Sequence, residues 1–211
     1  MRHIIALTFT LFLMASATWS AEITVSGSET CQTQLNGQFV KGDADKLRVW
    51  FENKGLFEGN IHSESLCLES PGGSLSEALK MGQFLYNYGI RTRLEANSSC
   101  LSACSVLFMM GTEYLDHGSG DGSNADRRMH ITAKLGFHRP ELRLPDGGTV
   151  MTEQLGLAYD LAIVSVLEFV RVANYGSHRE TMIPSDLIEV MMERRGEDYF
   201  FIDTVGKAGR W

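Results

Sequence analysis

The sequence predicts a single α/β domain with parallel strand pairing, and three observations support this expectation. Short apolar runs alternate with segments of helical periodicity from about residue 65 onwards, which is the pattern of parallel sheets covered by helices. Of the 211 residues, the roughly 190 that follow the first twenty are a usual length for one domain with its own core. The sequence contains no internal repeat and no heptad pattern.

The first twenty residues have the layout of a secretory signal peptide. Met1–His3 is short and basic, Ile4–Met14 is apolar, and small residues follow. The apolar run is shorter than the roughly 20 residues that a membrane-spanning helix needs. We expect cleavage after Ala17 or, with a looser fit to the small-residue rule, after Ser20; an uncleaved anchor is the alternative.

The predicted signal peptide and the net charge indicate where the protein is located and which classes of partner it is unsuited to bind. With residues 1–20 as a signal peptide, residues 21–211 form the predicted domain, and we expect a periplasmic or secreted protein. The chain has 19 basic and 26 acidic residues and a net charge of −7. An acidic chain without a basic cluster is poorly suited to binding nucleic acid or an anionic membrane, so we expect no nucleic-acid partner.

Four cysteines follow the predicted signal peptide, and an even number in an exported protein indicates disulfides. Sequence alone does not fix the connectivity, but we favour Cys31 with Cys67 and Cys100 with Cys104. The second bond would close a very short loop. Zinc is the weaker alternative, because the spacings are not paired C-x2-C units and thiolates are unusual in an oxidising compartment.

The first half of the chain predicts two short strands, a helix and a third strand. The strands are Glu22–Val25 and the region Gln38–Val40, and the helix is Asp43–Lys54, which is amphipathic. An apolar strand, Leu66–Leu68, then ends at a turn of sequence Ser-Pro-Gly-Gly, residues 70–73.

The next helix has clear signals at both ends. Ser74 is the expected N-cap, and Glu77 three residues later completes a capping box. Gly89 is expected to end the helix, and Ile90–Leu94 follows as a strand.

The second half continues the alternation. Ser102–Gly111 predicts a compact apolar helix, and Lys134–His138 predicts a strand. Between them, Asp116–Arg128 is rich in Gly, Asp, Ser and Asn and is expected to be an exposed loop. Leu155–Val172 and Ser185–Arg194 predict two further helices.

Three of these segments together contain the parts of an acyl-transfer site. Ser102 opens a helix and is the candidate nucleophile, and the N–H of Ala103 is a natural oxyanion donor. Gly72 and Gly73 can bring a second N–H close because neither has a Cβ. His138 lies at a strand end, and an imidazole with an ordinary pKa near 6.5 suits a general base.

The same segments resemble a known family. Leu68–Ser74, the segment centred on Ser102 and Gly136–Pro140 look like the core of the Clp protease proteolytic subunit, and more closely like its exported bacterial relatives in the Clp/crotonase superfamily. The resemblance covers roughly residues 36–211. It implies a ClpP/crotonase-like α/β fold of repeated β-β-α units, Ser102 as nucleophile, His138 as base, and a peptide or protein substrate.

The resemblance also extends to the oxyanion hole, the acid and the assembly. It implies Gly73 and Ala103 as oxyanion donors and places the acid in the segment around residues 193–200, where we favour Asp198. Asp203 is the reserve and Asp186 a weaker choice. Members of the superfamily form rings or trimers, so the resemblance implies a homo-oligomer. No ATPase partner is expected, because an exported enzyme would work in a compartment without ATP.

Two functions stay open at this point. The first is an exported serine hydrolase, with peptidase as the favoured class. The second is a catalytically inactive binding or scaffold protein of the cell envelope, for which the insert at Asp116–Ile131 and the cysteines around Ser102 would block or distort the site. We expect no cofactor.

Two further site arrangements rank below these. A Ser–Lys dyad would use Lys134, but a lysine base must be desolvated and the sequence gives no sign of that. Asp116, His117, Asp121 and Asp126 could hold a cation, but their spacing is not that of a calcium loop, so we expect no metal.

Overall fold

The computed structural model describes residues 20–55, 64–114, 123–141, 152–175 and 181–211. The predicted signal peptide lies outside this part of the chain, apart from its last residue. In chain order the described strands and helices are β1 (Glu22–Val25), β2 (Thr33–Asn36), α1 (Asp43–Asn53), β3 (Ser65–Glu69), α2 (Leu75–Tyr88), β4 (Arg91–Leu94), β5 (Ser99–Leu101), α3 (Ala103–Met109), β6 (Thr112–Tyr114), β7 (Ser123–Ala125), β8 (Arg127–Met129), β9 (Lys134–Phe137), α4 (Thr152–Ala173), α5 (Ser185–Met192), β10 (Phe200–Ile202) and α6 (Val205–Ala208).

The largest sheet has five strands in the order β1-β2-β3-β4-β8. β1 and β2 pair antiparallel, whereas β2, β3, β4 and β8 are parallel to one another. The parallel strands β2, β3 and β4 are joined through α1 and α2, because parallel neighbours need a crossover rather than a hairpin. The described chain is thus a mixed α/β structure with parallel pairing, as the sequence predicted.

A second sheet of three strands has the order β10-β9-β5. β5 and β9 are parallel, with Leu101 opposite Gly136. β10 runs antiparallel to β9 on its other side. The two residues that follow the paired ends of β5 and β9 are Ser102 and His138, so this small sheet positions the candidate site.

Helix α2 begins as the sequence predicted, with one difference in its capping box. The Ser74 hydroxyl accepts a hydrogen bond from the Glu77 N–H at 3.3 Å, and Gly89 ends the helix in the left-handed conformation with φ 63°. The Glu77 carboxylate, however, accepts a hydrogen bond from the Ala44 N–H at 3.0 Å. It therefore links the first turns of two helices.

Two sequence-based assignments are wrong in detail. The second strand is Thr33–Asn36 rather than Gln38–Val40. Phe39 makes only an isolated parallel bridge with Gly73, in which its N–H donates to the Gly72 carbonyl and its carbonyl accepts from the Ser74 N–H. The expected loop Asp116–Arg128 contains strands from Ser123 onwards, because β8 pairs with β4 and β7 with β6.

The helices differ sharply in burial. Every residue of α3 is buried, so this helix lies in the core directly after Ser102. Helix α4 instead exposes many large apolar side chains: Leu155, Leu157, Tyr159, Leu161, Ile163, Val164, Val166, Leu167 and Val170. None of the helices in the described ranges has the length and apolar character needed to cross a membrane.

The structure contains both disulfides that the sequence favoured. Cys31 joins Cys67 across β2 and β3, with 5.8 Å between their Cα atoms. Cys100 joins Cys104, with 5.1 Å between Cα atoms. Paired cysteines are compatible with an oxidising compartment such as the periplasm or the exterior of the cell.

Candidate active site

Ser102 lies at the apex of a sharp turn between β5 and α3. Its backbone has φ 58° and ψ −126°, an unusual conformation for a residue with a Cβ. The side chain is half-buried, so the turn presents the hydroxyl at a surface cleft rather than in the core. A strained serine on a strand-to-helix turn is the arrangement that exposes a nucleophile in several hydrolases.

His138 follows the last residue of β9, the strand next to β5. Its Nε2 lies 2.6 Å from the Oγ of Ser102, which is within the reach that a general base needs to remove a proton. The ring of Tyr199 packs edge-on against the imidazole, with 4.9 Å between centroids. The parallel register and this aromatic contact orient the imidazole of His138 toward the Ser102 hydroxyl.

Two backbone N–H groups lie beside the serine and remain available. Within the described residues, no hydrogen bond uses the N–H of Ala103 or of Gly73. The Gly72 N–H, in contrast, donates to the Ser70 hydroxyl at 3.0 Å. Of the two glycines that the sequence offered as oxyanion donors, the structure therefore favours Gly73.

Only glycine fits at either position of this turn. Gly72 has φ +95°, and a Cβ there would lie 2.6 Å from the Leu101 carbonyl oxygen and 2.7 Å from the Ser102 Cβ. Gly73 has φ +132°, and a Cβ there would lie 2.3 Å from the Phe39 carbonyl oxygen. The turn thus lies directly against both Ser102 and Phe39.

The three candidate acids lie at the surface and bind basic side chains. Asp198 pairs with Arg194 at 3.4 Å, and its side chain is 64% exposed. Asp203 pairs with Lys207, whose ammonium lowers the pKa of that carboxyl.

Asp186, the third candidate, pairs with Arg210 at 3.3 Å. None of the contacts that these three described carboxylates make involves His138. The structure therefore brings Ser102 and His138 together but does not bring Asp198, Asp203 or Asp186 to His138.

The lower-ranked arrangements gain no support from the described residues. Lys134 is exposed at the start of β9, so nothing desolvates its ammonium. Asp126 forms ion pairs with Arg91, Arg93 and Arg128. The other three residues of the cation hypothesis, Asp116, His117 and Asp121, lie outside the described residues.

Ser102 and His138 open into a cleft of about 620 Å³. Apolar side chains form much of its wall, two carboxylates lie on it, and the residues that line it are Gln38, Pro71, Gly73, Ser74, Leu75, Ser102, Ala103, Val106, His138, Pro140, Glu141, Phe169, Met191, Gly196, Glu197 and Tyr199. This volume lies within the range of ligand-binding clefts in proteins.

Several residues of the site were not identified from the sequence. The Ser70 hydroxyl accepts a hydrogen bond from the Gly72 N–H. Ser105 donates from its N–H and its Oγ to the Ser102 carbonyl at 3.0 and 2.6 Å. Tyr199 packs on the base, and Gly136 accepts from the Ser102 N–H at 2.9 Å. The Ser-x-Gly spacing of residues 70–72 was a usable signal, since serine hydroxyls often bind an N–H two residues on; the other contacts are tertiary.

Comparison with known proteins gives a likeness to solved structures but no family match. No protein-family model matches the chain, and no curated protein matches it. Among solved structures, the ClpP protease catalytic domain from Plasmodium falciparum is similar with 16% sequence identity and a TM-score of 0.46, over 82% of this chain and 77% of that one.

Proposed function

We propose that this protein is an exported serine hydrolase of the peptidase class, with Ser102 as nucleophile and His138 as general base. The observation that carries the proposal is the 2.6 Å contact between Ser102 Oγ and His138 Nε2. It occurs at a half-buried cleft rather than in the core, next to two N–H groups that no described hydrogen bond uses. Nucleophile, base and oxyanion donors are the groups that acyl transfer requires.

In the proposed reaction, Ser102 Oγ attacks the carbonyl carbon of a peptide bond while His138 Nε2 accepts its proton. The carbonyl oxygen becomes an oxyanion and receives hydrogen bonds from the Ala103 and Gly73 N–H groups. His138 then gives the proton to the leaving amine, which departs and leaves an acyl ester on Ser102. Water, deprotonated by the same imidazole, hydrolyses the ester and restores the hydroxyl.

No carboxylate is assigned as the third member of the site. Asp198 is left out because its carboxylate binds Arg194 and is largely exposed. A neutral imidazole at hydrogen-bond distance can act as the base without an acid beside it, although an acid that fixes the tautomer increases the rate.

The geometry favours the hydrolase over an inactive scaffold. The scaffold hypothesis expected the cysteines around Ser102 to distort the site. In the structure the Cys100–Cys104 bond coexists with the Ser102–His138 contact. The two disulfides also support the exported location that we propose.

Labelling with a fluorophosphonate probe tests the proposal directly. The serine oxygen bonds to phosphorus as fluoride leaves, so only an activated hydroxyl reacts rapidly. We expect labelling of the wild type at Ser102, none in Ser102→Ala, and strongly reduced labelling in His138→Ala. Ser165→Ala is a matched control, because this serine lies on α4 and binds the Leu161 carbonyl. A folded wild type that takes no probe at Ser102 contradicts the proposal.

A further inference from the structure

The backbone of Ser102 needs support from its surroundings. Its φ of 58° and ψ of −126° lie outside the ordinary strand and helix regions. Such conformations persist only where several contacts with neighbouring groups hold them in place. Whatever fixes this residue also fixes the direction of its Oγ and of the Ala103 N–H that follows it.

Hydrogen bonds hold Ser102 from two sides. Its N–H donates to the Gly136 carbonyl at 2.9 Å, which ties it to the strand that precedes the base. Its carbonyl accepts from the N–H and the Oγ of Ser105 at 3.0 and 2.6 Å. The second pair of bonds is effective only while the first turn of α3 keeps its place relative to β5.

A covalent bond fixes that relation. Cys100 is in the middle of β5, Cys104 is the second residue of α3, and the disulfide between them joins the residues two before and two after Ser102. Both cysteines are fully buried, with 0% exposure. The bond is therefore shielded from reductants in solution and is suited to a constant mechanical role.

We propose that Cys100 and Cys104 are positioning residues for the nucleophile. Their disulfide clamps the end of β5 to the start of α3, so that Ser102 stays in the conformation that directs its hydroxyl to His138 and the Ala103 N–H to the cleft. The inference rests on the proposed function for what Ser102 does. The clamp itself rests only on the connectivity and on the backbone of Ser102.

The second disulfide provides an internal comparison. Cys31 and Cys67 are 36 residues apart in sequence, whereas Cys100 and Cys104 are 4 apart. Closing a long loop removes more freedom from the unfolded chain than closing a short one. Cys31–Cys67 is therefore expected to contribute more to global stability, and Cys100–Cys104 more to the geometry of the site.

Two double variants separate these contributions: Cys100→Ala with Cys104→Ala, and Cys31→Ala with Cys67→Ala. The measurements are the second-order rate of fluorophosphonate labelling, kcat and KM on an activated ester, and the midpoint of urea unfolding. We expect the first pair to lower the labelling rate and kcat by at least about tenfold, since displacements near 1 Å can cost about a hundredfold. KM and the shape of the pH–rate profile stay unchanged, because the cleft and His138 are intact.

The second pair is expected to lower the urea midpoint further than the first. Its labelling rate per folded molecule stays within about twofold of the wild type, because Cys31 and Cys67 do not line the cleft. A further measurement needs no activity: hydrogen exchange at the amides of Ser102 and Ser105, which we expect to accelerate only when Cys100–Cys104 is removed.

The outcomes are distinct. Equal labelling rates in the two pairs, with unchanged exchange at Ser102 and Ser105, overturn the positioning role. A wild type that takes no probe overturns the proposed function instead, and exchange then decides whether the disulfide holds the turn. If the alanine pair at Cys100 and Cys104 fails to fold, Cys104→Ser replaces it in every measurement, because serine nearly preserves the side-chain volume.

Discussion

The N–H of Ser102 donates to the carbonyl of Gly136 at 2.9 Å, so the backbone of Ser102 is bonded to the strand that precedes His138. His138 is only two residues beyond Gly136. This main-chain bond holds the backbones of Ser102 and His138 close together, so that their side chains are within reach of each other. This relation explains how a half-buried site at a cleft can keep a 2.6 Å hydrogen bond.

The first prediction concerns the backbone strain at Ser102. Replacing Ser102 by glycine or alanine removes the same hydroxyl, but only glycine adopts a φ of 58° without a steric penalty. We expect Ser102→Gly to have a free energy of unfolding about 1 kcal/mol higher than that of Ser102→Ala. Urea unfolding of the two inactive variants checks this. An alanine variant as stable as the glycine variant would mean that the turn relaxes when the hydroxyl is lost.

The second prediction separates backbone strain from steric clash at the glycine turn. Gly73 has a φ of +132°, and a Cβ there would lie 2.3 Å from the Phe39 carbonyl oxygen. Gly42 has a φ of +99°, but a Cβ there would have no atom within 4 Å. Gly206 has no left-handed φ, and a Cβ there would also have no atom within 4 Å. We expect Gly206→Ala to be neutral or slightly stabilising, and Gly42→Ala to cost about 1–2 kcal/mol.

Gly73→Ala is expected to cost more than Gly42→Ala and to abolish labelling of Ser102, because the turn must move away from Phe39. Thermal unfolding and probe labelling of the three variants measure the two effects. Equal stability of the Gly73 and Gly42 variants would show that the close approach to Phe39 relaxes at little cost.

The third prediction uses two neighbouring arginines. Arg127 donates to the main-chain oxygens of Met109, Met182 and Trp211 at 2.6 to 2.8 Å. The side chain of Arg128 is 77% exposed and pairs with Asp126 at 3.5 Å. We expect Arg127→Met to lower the free energy of unfolding by about 2–3 kcal/mol, because it leaves carbonyl groups without their donor.

Arg128→Met is the matched control, with an expected change below about 0.5 kcal/mol. Chemical unfolding of both variants at the same ionic strength gives the comparison. Similar losses from the two substitutions would contradict a special role for Arg127.

The fourth prediction is the pH dependence that Glu77 contributes. Burial raises the pKa of Glu77, but the Ala44 N–H and the Lys80 ammonium outweigh it and lower the pKa overall. A carboxyl with a lowered pKa stabilises the fold above its unfolded pKa, and that stability disappears as pH falls through the folded pKa. We expect Glu77→Gln to be about 1 kcal/mol less stable than the wild type near neutral pH, with the difference shrinking below about pH 4.3.

Glu189→Gln serves as the control, because Glu189 is exposed on α5. Urea unfolding of the three proteins across the acidic range measures the effect. A difference between the wild type and Glu77→Gln that stays constant with pH would rule out the ionised carboxylate as its source.

The sequence is most informative where a local pattern determines the structure. Ser74 and Gly89 mark the ends of α2 correctly, because caps depend on neighbouring backbone groups. The motifs around Ser102 and His138 also identify a pair that the structure places in contact. By comparison, β5 and β10 are three-residue strands that exist only through pairing with β9, and no local pattern of that length is distinctive.

The candidate acid of the site shows a different limit of prediction from sequence. The position of Asp198 in the chain favours it as the acid, but Arg194, only four residues earlier in the segment after α5, offers it a basic partner. Lys207 stands in the same relation to Asp203. These nearby opposite charges are visible in the sequence and argue against both aspartates. The carboxylate of Glu77 is the converse case, because its partner on α1 is 33 residues away and no local rule identifies it.

The parallel pairing of Leu101 with Gly136 also bears on how the protein can be engineered. Register depends on which residues face each other across β5 and β9, not on the length of chain that joins them. A tag or reporter attached outside β5 and β9 that leaves this pairing intact is therefore expected to leave Ser102 and His138 in contact.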